Sequence, residues 1–257
     1  MEERFRHYLL TRFNVSLHWP ENAHVPPGIL DQRFELFESL CFPSVANQNI
    51  GNFTWLVFFD EDTPSVYRQK ISVLEKQFPP FRPVYLKRHA PGTKRHFLVS
   101  ARYRDIIRSL GGLDRSHLIT TRLDNDDAVT ETFITDIQGS FRPVEKMFVN
   151  FTDGYILDCK TGELNFSRAD DGTNTLSYIE SCENPDNVLT VYYYDHHRNA
   201  AEFAPVTNCT SKPAWLISVH DSNIMNTSTI HPVTGRANES ERDDCEGAFG
   251  IRLPVGH

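Results

Sequence analysis

Residues 118–128 read Leu-Ile-Thr-Thr-Arg-Leu-Asp-Asn-Asp-Asp-Ala, an apolar run that ends in a cluster of carboxylates. The run is typical of a strand covered on both faces. In open α/β sheets, ligands bind outside the carboxyl ends of the strands. Asp124 and Asp126 lie two residues apart at that end, and carboxylate oxygens suit Mg²⁺ or Mn²⁺. The stretch therefore predicts a strand followed by a divalent-metal site.

Two other predicted strands also end in polar side chains. One lies within residues 7–15, and the other is the apolar run of residues 55–59. The carboxyl ends of parallel strands meet at one edge of a sheet, so we expect these side chains beside the acidic cluster. The polar residues concerned are Thr11, Arg12, Asn14 and Asp60.

Three amphipathic helices are expected between the strands, because apolar residues recur with helical spacing. They run from Leu30 to Cys41, from Tyr67 to Phe78 and from Val99 to Leu110, and the first is expected to stop before Pro43. A further strand is expected near Pro83 to Leu86. Alternation of strands and helices predicts an α/β fold with parallel strands.

The second half of the chain predicts mostly strands. Strands are expected at residues 146–151, in a hairpin over residues 155–166, and at residues 188–194. A short helix is expected to open at Asp170 and Asp171 and to run through Glu180, and residues 226–247 read as a mobile loop. No linker poor in hydrophobic residues divides the chain, so residues 1–257 are expected to form one domain.

Composition excludes several classes of protein. The chain has 257 residues and a net charge of −8, which argues against a general nucleic-acid binder. No stretch reaches the roughly 18 apolar residues of a membrane span, and no signal sequence is recognisable, so a cytoplasmic protein is expected. The five cysteines form no C-x-x-C pair, and the seven N-x-[ST] sequons are interpreted as chance.

Other catalytic signatures are missing. The sequence contains no G-x-G-x-x-G, P-loop, G-x-S-x-G or H-E-x-x-H motif. These absences argue against dinucleotide redox enzymes, P-loop NTPases, elbow-type hydrolases and zincins. His220 follows an apolar run, residues 214–219, and is a candidate site residue. The adjacent His196 and His197 have poor spacing for a metal pair.

Four segments together carry a resemblance to a known family. They are residues 9–15, 55–64, 118–128 and 215–223, and they occur in the expected order. In this respect the chain resembles the putative rhamnosyltransferase family, which belongs to the GT-A glycosyltransferases. The resemblance implies a GT-A fold with a single Rossmann-like mixed sheet flanked by helices.

The resemblance also implies roles for individual residues. Asp126 matches the position expected to hold the metal, Asp124 the position near the donor ribose or the ion, and His220 a late histidine for the metal or diphosphate. Thr11, Arg12 and Asn14 fall where the first strand meets the nucleotide, and Asp60 where a carboxylate reads the base or ribose. Arg122 is interpreted as a diphosphate contact, with pairing to Asp60 or Asp127 as the alternative.

The catalytic base is expected at Asp171 or Asp170. An inverting transferase needs a carboxylate to take the proton of the acceptor hydroxyl. In GT-A order that residue opens the helix after the hairpin, and an N-cap is the structural alternative. Asp153 and Glu180 are weaker candidates. A retaining enzyme would need no such base, but an inverting hexosyltransferase is the prediction adopted.

The predicted function is metal-dependent transfer of a sugar from a nucleotide-diphosphate donor to a glycan or lipid-linked acceptor. Residues 1–130 are expected to bind the donor and residues 131–257 the acceptor. The family name suggests rhamnose, although no residue reads a 6-deoxy sugar. Peripheral membrane association is left open, and no nucleic acid is expected. The alternatives are a metal-dependent nucleotidyltransferase or phosphohydrolase and a non-catalytic nucleotide-sugar-binding domain.

Five aromatic residues in the second half are candidates to stack on sugar rings. Alternation along strands places about half of them in the core instead. They are Tyr155, Phe166, Tyr192, Tyr193 and Tyr194.

Overall fold

The computed structural model describes residues 4–15, 27–87, 95–193, 197–210, 212–221 and 232–254. Within them the chain forms a mixed seven-stranded sheet flanked by helices, together with a five-stranded sheet. The predicted α/β class with a central mixed sheet is confirmed. The five-stranded sheet is an addition to the single sheet that was expected.

The first half alternates strands and helices as predicted. Its elements are β1 (Phe5–Arg12), α1 (Pro27–Leu36), a π-helical turn (Phe37–Cys41), α2 (Phe42–Ala46), β2 (Thr54–Asp60), α3 (Ser65–Gln77), β3 (Phe81–Leu86), α4 (Arg95–Ser109), β4 (His117–Arg122), β5 (Ala128–Val129) and α5 (Phe133–Gly139).

The second half contains the remaining strands and a final helix. They are β6 (Lys146–Phe151), β7 (Asp153–Asp158), β8 (Leu164–Arg168), β9 (Ser177–Ser181), β10 (Val206–Cys209), β11 (Trp215–Val219), β12 (Val233–Arg236) and α6 (Glu239–Phe249). The large sheet has the order β10-β6-β9-β4-β1-β2-β3, and the small sheet has the order β12-β8-β7-β11-β5. Strands β4, β1, β2 and β3 run parallel, whereas β9 is antiparallel to both β4 and β6.

Strand β2 shows why the large sheet is covered on both faces. Trp55, Val57 and Phe59 pack on the side of α1 and α3, whereas Leu56 and Phe58 pack on the side of α4. The Phe58 ring stacks on Tyr103 of α4 with centroids 3.8 Å apart. An apolar residue at every position is what a doubly covered strand needs.

The first predicted helix does not stop before Pro43. The chain passes from α1 through the π-helical turn directly into α2, where Pro43 lies in the first turn. Proline cannot donate an N–H to the preceding turn, and here it follows the π-helical turn directly, where the regular pattern of helical hydrogen bonds is already interrupted. The periodicity located the helix correctly, but the proline did not end it.

Two other predictions in the second half are wrong. No helix opens at Asp170 and Asp171, because residues 177–181 form β9 and pair with both neighbouring strands. The stretch from Val188 to Tyr193 is not a strand but a turn that ends in a 3₁₀ segment, and Tyr194 lies outside the described residues.

The supposed mobile loop at residues 226–247 holds β12 and the start of α6; residues 226–231 lie outside the described part. Helix α6 begins with a capping box between Asn238 and Glu241, a signal that the sequence carried. Its Cys245 and Phe249 pack on the small sheet. The predicted hairpin is confirmed as β7 and β8, and all five cysteines are free thiols. No described helix is long and apolar enough to cross a bilayer.

Gly154 allows the closest approach in the small sheet. It lies opposite Trp215, and a Cβ built on Gly154 would be 2.1 Å from the indole Cδ2. Trp215 is fully buried, and its indole N–H donates to the Phe151 carbonyl oxygen at 2.7 Å. The indole therefore cannot retreat without losing that hydrogen bond.

We expect Gly154→Ala to lower the free energy of unfolding by about 3 kcal/mol, because overpacking a rigid core costs about 1–3 kcal/mol or more. Gly247→Ala is the matched control: Gly247 is helical and exposed, and a Cβ added there would have no heavy atom within 4 Å. The free energy of unfolding of Gly247→Ala should rise by about 0.5–1 kcal/mol. Urea unfolding of both variants measures this, and equal stabilities would contradict the close packing.

Candidate functional site

Three adjacent parallel strands place polar residues along one edge of the large sheet. Strands β4, β1 and β2 are neighbours, with Leu10 opposite Arg122 and Arg12 opposite Phe58. Their carboxyl ends therefore bring Arg122, Arg12 and Asp60 to the same edge, as the sequence predicted. The loop that follows β4 carries the acidic cluster.

Two arginines converge on one buried tyrosine at this edge. The guanidinium carbon of Arg12 lies 4.9 Å from the ring centroid of Tyr192, and that of Arg122 lies 5.7 Å from it. Such contacts stabilise a cation over an aromatic face. Tyr192 is only 6% exposed, so its ring packs against the arginines and is not available to stack on a sugar.

Arg122 forms an ion pair with Asp124. Its Nε and Nη2 atoms donate to the Asp124 carboxylate at 2.9–3.3 Å. Burial raises the pKa of Asp124, but Arg122 and then Arg12 outweigh burial, and the net pKa is below its usual value. The alternative pairing of Arg122 with Asp60 or Asp127 is not what the structure has. Asp124 is thus a charged partner of the arginines.

Asp126 and His220 form a second pair. His220 Nε2 lies 3.0 Å from Asp126 Oδ2, although 94 residues separate them in sequence. The side chains are 9% and 3% exposed, respectively. His220 directly follows β11, which brings it to the acidic loop. Within the described ranges, no three His, Cys, Asp or Glu side chains form a complete metal cluster.

Asp127 is the fully buried member of the acidic cluster. Its Oδ1 accepts the backbone N–H of Ser218 at 3.0 Å, and its Oδ2 accepts the side-chain amide of Asn174. Burial, followed by the charges of Asp126 and Asp124, raises the pKa of Asp127 well above its usual value. Asp127 therefore joins the β4 loop to β11 and to residues 169–176.

Buried polar atoms without a partner gather around this cluster. In the part of the chain that the structure describes, Asn125 Nδ2, Asn174 Oδ1 and Ser218 Oγ are buried and lack hydrogen bonds. Each such atom costs about 1–3 kcal/mol. Asn125 also accepts a hydrogen bond from Arg33 at 3.1 Å. Buried groups with unused hydrogen-bonding capacity are typical of a site that binds ligand or water.

The other predicted nucleotide contacts differ in placement. Thr11 is fully buried, and its hydroxyl accepts the indole N–H of Trp55 at 2.9 Å, so it lies in the core rather than at the edge. Asn14 joins the ends of β1 and β2: its Oδ1 accepts the backbone N–H of Asp60 at 2.9 Å, and its amide donates to Thr63. The Asp60 carboxylate accepts the Asp62 N–H at 2.8 Å.

The two candidates for the base have different surroundings. Asp170 pairs with Arg168 at 3.0 Å, and Arg168 also contacts Asp153. Asp171 is exposed, and its side chain makes no hydrogen bond or ion pair among the described residues. Both precede Asn174 on the loop that contacts Asp127. His196 lies outside the described residues, as does the side chain of His197.

Sequence reasoning missed Arg33, Asn174 and Ser218, and it considered Tyr192 only as one of five aromatic residues that either stack on a sugar or lie in the core. Arg33, Asn174 and Tyr192 lie outside the four segments that carry the family resemblance. Arg33 lies in the last turn of α1, and Ser218, which is within one of those segments, contributes its backbone. The one available signal was position, since Ser218 lies two residues before His220.

The chain is thus an α/β protein with acidic and cationic side chains at the carboxyl edge of its parallel strands. The family described as putative rhamnosyl transferase matches residues 20–232, and the chain belongs to this family of transferases. No curated protein is significantly similar to the chain.

Solved structures of similar fold include Staphylococcus aureus TarS 1–349. Its complex with UDP-GlcNAc aligns with a TM-score of 0.45 and 10% identity, over 87% of this chain and 61% of that chain. Its complex with UDP aligns with a TM-score of 0.46 and 9% identity, over 84% of this chain and 61% of that chain. The chain thus spans about three fifths of the length of these structures.

We expect Asp127→Asn to be tolerated and Asp127→Ala to be destabilising. Asn keeps an acceptor for the Ser218 N–H, and the Asn174 amide can turn its unpartnered oxygen toward the new amide group. Ala leaves two buried donors without acceptors, which costs about 2–4 kcal/mol. Urea unfolding at neutral pH measures both variants. If Ala proves as stable as Asn, the joining role of Asp127 is wrong.

Proposed function

We propose that the chain is a metal-dependent, inverting glycosyltransferase that uses a nucleoside-diphosphate sugar. The observation that carries the proposal is the Asp126–His220 pair beside two arginines at the carboxyl edge of the sheet. Membership of the rhamnosyl transferase family supports transfer of a hexose, with rhamnose as the first sugar to test. The acceptor is proposed to be a hydroxyl of a glycan or of a lipid-linked glycan.

The two arginines are suited to hold the diphosphate. Guanidinium groups donate several hydrogen bonds in a fixed plane and keep their charge at all physiological pH values. Arg12 and Arg122 both contact the Tyr192 ring, so their two positive charges are held in position before a ligand binds. Asp124 balances part of this charge in the absence of ligand.

The residues present fit a divalent cation. Asp126 offers carboxylate oxygen and His220 offers imidazole nitrogen, a combination that Mn²⁺ accepts. Mg²⁺ and Mn²⁺ sites in nucleotide-using enzymes commonly have one or two protein ligands, with substrate phosphates and water completing the shell. When bound, the cation supplies charge neutralisation for the departing nucleoside diphosphate. Asp124 is proposed to contact the donor rather than the ion, because Arg122 occupies its carboxylate.

Asn14 and Asp60 are proposed to form the nucleoside end of the site. The Asn14 side chain fixes the position of the Asp60 backbone, and Asp60 stands at the end of β2 next to β1. Thr11 is not included, because its side chain is committed to Trp55.

Asp171 is our choice for the base that takes the proton of the acceptor hydroxyl. Asp170 is neutralised by Arg168, whereas Asp171 has no such partner among the described residues. Asp171 lies three positions before Asn174, which contacts the acidic cluster, and a chain of that length spans at most about 11 Å. An acceptor bound at the acidic cluster is thus within reach of this loop.

The donor site is tested by thermal shift with UDP, dTDP and GDP, each with and without Mn²⁺. We expect one diphosphate to stabilise the protein only when Mn²⁺ is present, by about 2.7 kcal/mol at a concentration of 100 Kd. Asp126→Ala should abolish this dependence. Asp243→Asn, an exposed change on α6, is the control that should retain it. Equal shifts for wild type and Asp126→Ala would refute the metal assignment.

The base is tested in the transferase reaction. Asp171→Asn should lower kcat by about 10²–10⁴-fold without weakening donor binding, because general-base catalysis contributes that much. Asp170→Asn is the neighbouring control and should retain most activity. Product analysis should find a free nucleoside diphosphate and an inverted anomeric centre. Attachment or release of a nucleoside monophosphate would instead support a nucleotidyltransferase or phosphohydrolase.

A further inference from the structure

Glu180 is a buried carboxylate for which the proposed reaction has no use. It lies on β9 and is 4% exposed. Among the described residues no cationic side chain pairs with it. Its two oxygens accept the backbone N–H groups of Leu189 and Thr190, at 2.7 and 2.9 Å. Two adjacent peptide N–H groups thus have a single carboxylate as their partner.

The turn that Glu180 holds has a strained backbone. Thr190 has a φ of +61°. Among the described residues other than glycine, no other has a positive φ. A β-branched residue in this region costs about 1–3 kcal/mol and persists only where its surroundings enforce it. The next N–H, that of Val191, donates to the Thr120 hydroxyl of β4 at 2.8 Å. Side chains from β9 and β4 therefore fix three consecutive amides, those of residues 189–191.

Tyr192 follows directly after these three amides. Its hydroxyl donates to the Leu10 carbonyl oxygen at 3.4 Å, and its ring meets the edge of Tyr103 at a centroid distance of 5.2 Å. The same ring contacts Arg12 and Arg122. The conformation of residues 189–191 thus determines the position of the Tyr192 ring, which both arginines contact.

We propose that Glu180 is a positioning residue of the diphosphate site. Through the turn of residues 189–191 it fixes Tyr192, and through Tyr192 it fixes the two guanidinium groups that receive the diphosphate. This inference rests on the proposed function, because it assigns the arginines to a nucleoside diphosphate.

A carboxylate is the side chain that this geometry requires. Two neighbouring N–H donors need two acceptors, and a glutamine would turn one donor toward another donor. Burial raises the pKa of Glu180 to about 7, and the hydrogen bonds from Leu189 and Thr190 act in the opposite direction. Experiments at pH 8.5 therefore compare an ionised carboxylate with its neutral amide.

The first experiment measures hydrogen exchange of the amides of residues 189–191. We expect at least about a tenfold faster exchange in Glu180→Gln than in wild type, since glutamine keeps only one of the two acceptors for Leu189 and Thr190 and the Val191 amide depends on the same turn. Glu183→Gln, an exposed change just after β9, is the control and should leave their exchange unchanged. Thr120→Val removes only the acceptor for Val191, so it offers a milder variant should Glu180→Gln fail to fold.

The second experiment compares binding of a nucleoside diphosphate and its monophosphate, using UDP, dTDP or GDP according to which one wild type binds. We expect Glu180→Gln to weaken diphosphate binding about tenfold and monophosphate binding much less, so that selectivity falls. Adding Thr190→Gly to Glu180→Gln should restore part of the selectivity for the diphosphate, because glycine adopts a positive φ without strain. A merely structural role would lower stability without changing this selectivity.

The outcomes separate the two proposals. Unchanged exchange at residues 189–191, or faster exchange with unchanged selectivity, overturns the role of Glu180 and leaves the proposed function standing. Failure of wild type to bind any of the three diphosphates overturns the proposed function and this inference with it.

Discussion

The buried carboxyl of Asp127 is the contact on which the rest of the site depends. It accepts hydrogen bonds from Ser218 in one sheet and from Asn174 in the loop before β9, while its own segment follows β4. Three parts of the chain, distant in sequence, therefore meet at one residue. Separating these partners would leave buried polar groups without hydrogen bonds, which costs free energy. Asp126 and Asp124 take their positions from this anchor.

Two groups of polar side chains lie at this edge of the sheet. Arg12 and Arg122 contact the Tyr192 ring, and His220 contacts Asp126. Asp124 follows β4 and is paired with Arg122. In the proposed function, the guanidinium groups hold the diphosphate, and Asp126 and His220 hold the cation. Such a site needs no large basic surface, in keeping with the net charge of −8.

The sequence predicted the strands of the first half well, because each is covered on both faces and is therefore apolar throughout. It failed at residues 170–180, where Leu176 and Ile179 have a helical spacing that a doubly covered strand also permits. At the site, Asp126 and His220 could be named because each follows an apolar strand. Their contact could not be predicted in the same way, since 94 residues separate them. The contact of Tyr192 with two arginines was not predicted for the same reason: its partners, at positions 12 and 122, become neighbours only in the folded chain.

The position of β9 has a consequence for folding. Residues 177–181 lie between β4, from the first half of the chain, and β6, from the second, and pair with both. Helix α6 adds another link, because the Ala248 carbonyl oxygen accepts the Glu131 N–H at 2.9 Å. Neither half can complete the large sheet alone, so the two halves should assemble in one cooperative transition. Pairings this distant in sequence close long loops, and loop closure slows folding. The polar residues at the sheet edge therefore become neighbours only through contacts that close long loops of chain.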